Sequence, residues 1–213
     1  MPMLGLPRII GTFTPQLMLR VFINAGYSPA DLEYMRSSIS KARDILSQYK
    51  IGVAIIPPGG LNSHEDIGIF SYNGPLFVDT SNGDGRPATV DSGAVTARME
   101  VEPKMTGGAR DTAVVLFGPS ASSSSRGRVN FNSRFPYFCS VDTKRKSSIV
   151  TMLHEVCHCA DIQHYMAQEN LTGPQDDLNI MAEVTDAKAN LRNRLNNIEL
   201  DLLRSSYFFK ILD

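Results

Sequence analysis

Apolar positions recur along the chain in blocks whose spacing predicts alternating helices and strands. Leu32, Met35, Ile39, Ala42, Leu46 and Tyr49 fall three or four apart and form one apolar helix face through residue 49. Ser28 and Pro29 mark its start, a capping hydroxyl followed by a proline at the first helical position. The run I-G-V-A-I-I, ending at Pro57-Pro58, reads as a buried strand. Residues 57 to 87 are loop-rich, with Ile67 to Phe70 and Leu76 to Val78 as short strands. Ala94 to Val101 and Thr112 to Phe117 read as strands. The second, T-A-V-V-L-F, is apolar throughout, as a strand covered on both faces should be. A serine-rich segment, G-P-S-A-S-S-S-S-R-G-R, precedes two more strands at Val129 to Phe131 and Tyr137 to Val141. Ile149, Val150, Met152 and Leu153 then open a buried helix, with Ser147-Ser148 as its cap. An irregular stretch with Gly173-Pro174 leads to a long terminal helix, Glu183 to Ser206. Its core stripe is Leu191, Leu195, Ile198 and Leu202.

Composition narrows the class. With 213 residues, 42% apolar and 20% charged, the chain is an ordinary globular protein of one domain, or two lobes around a cleft, and its predicted helices and strands make it α+β. A net charge of -1 gives no sign of nucleic acid or an anionic membrane surface as a partner. No apolar run approaches a membrane span. Three cysteines are too few for a disulfide framework. Cys157 and Cys159 read as small packing residues pointing away from the histidine face, and a pairing of Cys139 with either stays open.

The chemistry concentrates at Thr151 to Tyr165, T-M-L-H-E-V-C-H-C-A-D-I-Q-H-Y, which holds three of the four histidines. His154 and His158 are four apart, so on a helix both imidazoles lie on one face and reach a single metal ion. Glu155 follows the first of them, in position to act as a general base. The remaining histidine, His64 in N-S-H-E-D, reads as a surface loop residue.

His154 to His164 resembles the metzincin signature H-E-x-x-H-x-x-G-x-x-H, with Asp161 where the family has glycine. Asp is among the residues that tolerate a left-handed backbone best, so it can serve the same turn. If the helix ran on instead, Asp161 would share the histidine face and become a candidate third ligand. N-I-M-A at Asn179 to Ala182 is similar to the family's methionine turn, with Met181 as its methionine. Glu183 has two further readings: the third ligand of a thermolysin-like zinc hydrolase, or an acidic residue in the first turn of the terminal helix.

The resemblance implies a metzincin-like zincin fold. That fold has a mixed twisted sheet, a long backing helix and an active-site helix in an upper lobe of about residues 1–160. A small lower lobe of about 161–213 ends in a long helix. It implies a zinc metalloendopeptidase, with one Zn²⁺ held by His154, His158 and His164 and Glu155 taking a proton from the attacking water. The substrate would be a protein or peptide bound in extended form along an edge strand. The alternatives are the Glu183-liganded hydrolase and a non-catalytic zinc-stabilised binding module, which the presence of Glu155 counts against. Asp79 to Asp91 has the look of a calcium loop, but Thr80 stands at its first ligand position, and its Gly and Asn content fits a polar turn better. Met1 to Gly11 lacks the features of a signal peptide. The expectation is therefore a cytoplasmic enzyme, or a toxin or effector exported without a leader and held in check by a separate inhibitor protein.

Overall fold

The computed structural model describes residues 15–57, 67–76, 111–121, 126–129, 138–146, 148–165, 168, 175–184 and 186–211. Its sheet is built around a strand that the apolar spacing does not announce, β1 (Pro15–Asn24). β1 is followed by helix α1 (Pro29–Ser47), β2 (Gly52–Ile55) and β3 (Ile67–Phe70). After them come β4 (Ala113–Gly118), β5 (Gly127–Val129), β6 (Phe138–Asp142) and helix α2 (Thr151–Cys159). Two short helices, α3 (Asp186–Ala189) and α4 (Asn197–Ser205), precede the last described strand, β7 (Phe209–Ile211).

β1 makes most of the sheet's pairings. Gln16 to Leu19 pair with β2, and Val21 to Asn24 with β3, both parallel. Leu19 to Ile23 pair in parallel with β4, and Pro15 to Leu17 antiparallel with β7. Residues shared between these ladders place β2 and β3 in tandem on one edge of β1, and β7 and β4 on the other. β6 is parallel to β4, and β5 is antiparallel to β6, giving the order β2-β1-β4-β6-β5. The architecture is thus mixed α+β with a mostly parallel sheet. Among the described residues no helix is long and apolar enough to cross a membrane.

Strand alternation sorts the core into two layers. Leu17, Leu19, Val21 and Ile23 of β1 join Val115 and Phe117 of β4 and Cys139 and Val141 of β6 on the face that carries the helices. Phe22, Val114, Leu116 and Phe138 lie on the other face with Phe70 and Leu76. α1 covers the first layer with Met35, Ile39, Ile45 and Leu46, each essentially inaccessible. Four such side chains contribute on the order of 6–12 kcal/mol of burial. α2 adds Met152, Leu153, Val156 and Cys157 to the same layer.

Several expected elements shift. Leu76 lies in a bend, and the rest of the strand expected at Leu76 to Val78 is outside the described residues. Of the strand expected at Val129 to Phe131, Val129 lies in β5 and the other two residues are outside the described residues. Ser148 does not cap α2: Val150 holds that position, and the Ser148 hydroxyl accepts from the Val150 N–H at 3.2 Å, just ahead of the helix. Ser147, His64, the Asp79 to Asp91 loop and the Ala94 to Val101 strand lie outside the described residues.

The long terminal helix from Glu183 is broken. Asn196 caps α4 in a reciprocal box, its side chain accepting from Glu199 N at 2.9 Å while Glu199 Oε2 accepts from Asn196 N at 2.8 Å. The segment before it turns its backbone toward residues 178–180: Asn193 N donates to Leu178 O at 2.8 Å and Ile180 N to Arg194 O at 2.9 Å. Of the expected stripe only Leu195 is buried; Leu191, Ile198 and Leu202 are exposed.

α1 starts on a second reciprocal box. Asp31 N donates to Ser28 Oγ at 3.2 Å, and Ser28 N to Asp31 Oδ2 at 2.7 Å, with Lys146 Nζ 2.8 Å from Asp31 Oδ1. Burial alone would push the Asp31 carboxyl up, but the bonds from Lys146 and Ser28 outweigh it and hold the group below its ordinary range. Asp31→Ala should therefore cost about 1 kcal/mol in urea denaturation. A lowered folded-state pKa contributes stability above the ordinary carboxylate range and loses it as pH falls through that range. The gap between wild type and variant should accordingly close in acid; an unchanged gap there would contradict this role.

Candidate metal centre

α2 carries His154 and His158 one turn apart and ends at Cys159. Its end explains how an aspartate replaces the expected glycine. Asp161 N donates to His158 O at 3.0 Å, and Ile162 N to Cys157 O at 3.3 Å. This pair of bonds is a Schellman motif, which needs a left-handed residue just past the helix cap. Asp161 is that residue, with φ 59°. The helix does not run on, Asp161 is exposed, and it takes no part in the histidine cluster. Ile162 is buried beyond the turn, and the chain swings back to bring His164 to the other two rings.

The three Nε2 atoms converge. His158 Nε2 lies 3.2 Å from His154 Nε2 and 3.2 Å from His164 Nε2. Tetrahedral ligands at roughly 2.0–2.1 Å from zinc stand about 3.3 Å apart, so the spacing suits one ion. The other ring nitrogens are all engaged. His154 Nδ1 donates to Ile180 O at 2.9 Å and His158 Nδ1 to Ile162 O at 2.7 Å, while His164 Nδ1 lies 3.1 Å from Glu183 Oε1. With the protons on Nδ1, three lone pairs would face one point with no hydrogen between them. That is the donor chemistry of a metal site, and His154, His158 and His164 are placed to bind a metal ion.

For the two helical histidines, electrostatics favour the neutral ring that a metal requires. Burial, then the charges of His158 and Arg192, hold His154 well below the usual imidazole range. Burial lowers His158 to about 4, against the opposing bond to Ile162 O. Burial pushes the Glu155 carboxyl up to about 8, with the Arg192 and Arg128 guanidiniums acting in the other sense. Glu155 lies hard against β5: a methyl group on Gly127 would stand 2.5 Å from Glu155 Cγ and 2.6 Å from Oε1. Only a glycine lets the strand approach this closely.

No protein-family model matches the chain, and no curated protein is similar to it. The site therefore rests on its own geometry.

Met181 is fully buried in a tight turn, where its N–H donates to Asn179 Oδ1 at 2.6 Å and its carbonyl accepts from Tyr165 N at 2.9 Å. The turn thus binds both the His154 ring, through Ile180 O, and the residue after His164. Glu183 is neither inside α3 nor at the point where the Nε2 atoms converge. It is exposed and touches the far nitrogen of His164. Cys139, Cys157 and Cys159 are free buried thiols outside the histidine cluster.

Three supporting residues escape the sequence reading. Buried Arg192 donates from Nη1 to Ile180 O at 3.0 Å and Ala182 O at 3.1 Å, bracing the turn. Fully buried Glu199 accepts from Asn179 Nδ2 at 2.8 Å and from Gln168 Nε2 at 2.6 Å, fixing the turn from below. Asn179 is the link between Glu199 and Met181. Of these, only Glu199 carried a local signal, as the last residue of the capping-box pattern Asn196-x-x-Glu199.

The Schellman turn yields a test. Asp161→Gly should keep metal binding, with a stability change within about 1 kcal/mol. Asp161→Val, whose branched side chain resists the left-handed region, should cost about 1–2 kcal/mol and weaken metal uptake. Thermal denaturation and metal analysis of both variants would check this. Equal behaviour of glycine and valine would contradict the assignment.

Proposed function

We propose that the chain is a zinc-dependent metallopeptidase of metzincin-like architecture, hydrolysing peptide bonds of an extended substrate laid beside β5. One observation carries the reading: three imidazole Nε2 atoms converge beside a helix that supplies two of them, and the residue between those two, Glu155, packs against the last strand of the described order. The left-handed turn at Asp161 and the buried Met181 turn support the family likeness.

Imidazole sets accept several first-row metals, and zinc suits hydrolysis because it is redox-inert. When bound, zinc would supply Lewis-acid polarisation of a carbonyl and make water easier to deprotonate. The chain's own residues do the rest. His154, His158 and His164 hold the ion. Glu155 takes a proton from the attacking water and returns it to the leaving amine. Burial raises its proton affinity, and a nearby dication would lower it again, which brings the group toward neutral pH, where a base that must also act as an acid works best. Gly127 lets the strand come close enough for a backbone laid beside β5 to reach that carboxylate.

Glu155→Gln is isosteric and should retain zinc and fold. Cleavage of an unfolded protein such as casein should fall by about 10²–10⁴-fold, the usual share of a general base. Zinc content and cleavage are measured on the same preparations. Full activity in the variant would refute the role of Glu155, and zinc-loaded wild type that cleaves no peptide would refute the peptidase reading.

A further inference from the structure

The three rings are not held alike. His154 and His158 give their Nδ1 protons to main-chain carbonyls, Ile180 O in the buried turn and Ile162 O in the Schellman turn. Those acceptors cannot leave without unmaking the fold. His164 sits on neither helix nor strand, its side chain is 41% exposed, and its Nδ1 lies 3.1 Å from the carboxylate of Glu183, itself 65% exposed.

Glu183 is in turn fixed through its backbone. Its N–H donates to Gln175 Oε1 at 3.2 Å, and its carbonyl accepts from Gln175 Nε2 at 3.0 Å. The side-chain amide of Gln175 thus imitates a strand partner. The bond from Tyr165 N to Met181 O keeps the two segments side by side. Gln175, Glu183 and His164 form a chain of contacts leading from a surface amide to the third Nε2.

We propose that Glu183 is the positioning residue for His164, setting its tautomer and ring orientation and thereby the metal affinity of the centre. This deepens the metal-centre reading and rests on it. A neutral imidazole with its proton on Nε2 cannot ligate through that atom. The carboxylate selects the Nδ1–H form, makes Nε2 more basic and places a negative charge near the cation. The interaction lies near the surface, so its loss leaves the core intact.

The test uses the full chain as wild type, Glu183→Ala and Glu183→Gln. Long-range ¹H–¹⁵N spectra of metal-free protein, at a pH where the rings are neutral, report the tautomer of His164. Zinc affinity is read by competition with a chromophoric chelator. Wild type should show the Nδ1–H form, and Glu183→Ala should gain the Nε2–H form and bind zinc about 10–100-fold more weakly. Glu183→Gln keeps an acceptor oxygen and should recover most of the tautomer and part of the affinity. Unchanged tautomer and affinity in Glu183→Ala would overturn the proposal. A tautomer shift in a chain that binds no zinc would uphold the positioning of His164 and overturn its link to metal affinity, along with the metal-centre reading.

Discussion

An imidazole can offer Nε2 to a metal only while its proton is kept on Nδ1, and the functional architecture of this chain follows from meeting that condition three times. Each acceptor comes from a different part of the fold: a turn 26 residues downstream of His154, a carbonyl four residues after His158, and a side chain beside His164. The convergence of the Nε2 atoms then follows from where those acceptors stand. Three neutral rings with lone pairs pointing at one another would be unfavourable without an ion between them. The fold holds them there through bonds made on the opposite side of each ring.

The layers behind the site serve those acceptors. Ile180 O is shared by His154 Nδ1 and Arg192 Nη1, so a buried guanidinium braces the same carbonyl that orients the ring. Arg192 Nη1 also lies 3.3 Å from His154 Nδ1, and two donors meeting on one carbonyl account for that short approach. Glu199, buried and hydrogen-bonded to Asn179, keeps the Met181 turn in register. Losing one partner of such a buried network typically costs about 1–3 kcal/mol. The sheet supplies the opposite wall, where Gly127 of β5 meets Glu155. The geometry of the metal centre and the buried network thus depend on the same few residues.

Much of this was legible because it is local. The spacing of His154, His158 and His164, the start of α1 at Ser28 and the all-apolar β4 are short-range signals, and the structure carries each of them. The left-handed Asp161 follows from the same kind of reasoning. β1 was not legible: L-M-L-R-V-F-I-N interrupts its apolar run with Arg20, which is buried and donates to Pro57 O at 3.1 Å, a partner 37 residues away. The terminal helix misled because Leu191, Leu195, Ile198 and Leu202 keep a helical period while the intervening asparagines and Arg192 turn to tertiary partners. Asn196 and Glu199 signalled a second start that the apolar period obscured. Glu183 was read as a ligand or a helix residue because only the returning chain puts it beside His164.

Three imidazoles, and no sulfur, are placed to bind the metal. X-ray absorption at the zinc edge of the zinc-loaded chain tests this most directly. The account predicts nitrogen and oxygen neighbours at about 2.0–2.1 Å, with the outer scattering pattern of three imidazole rings. A sulfur neighbour near about 2.3 Å, recruited from Cys157 or Cys159, or scattering from fewer than three imidazoles, would contradict it.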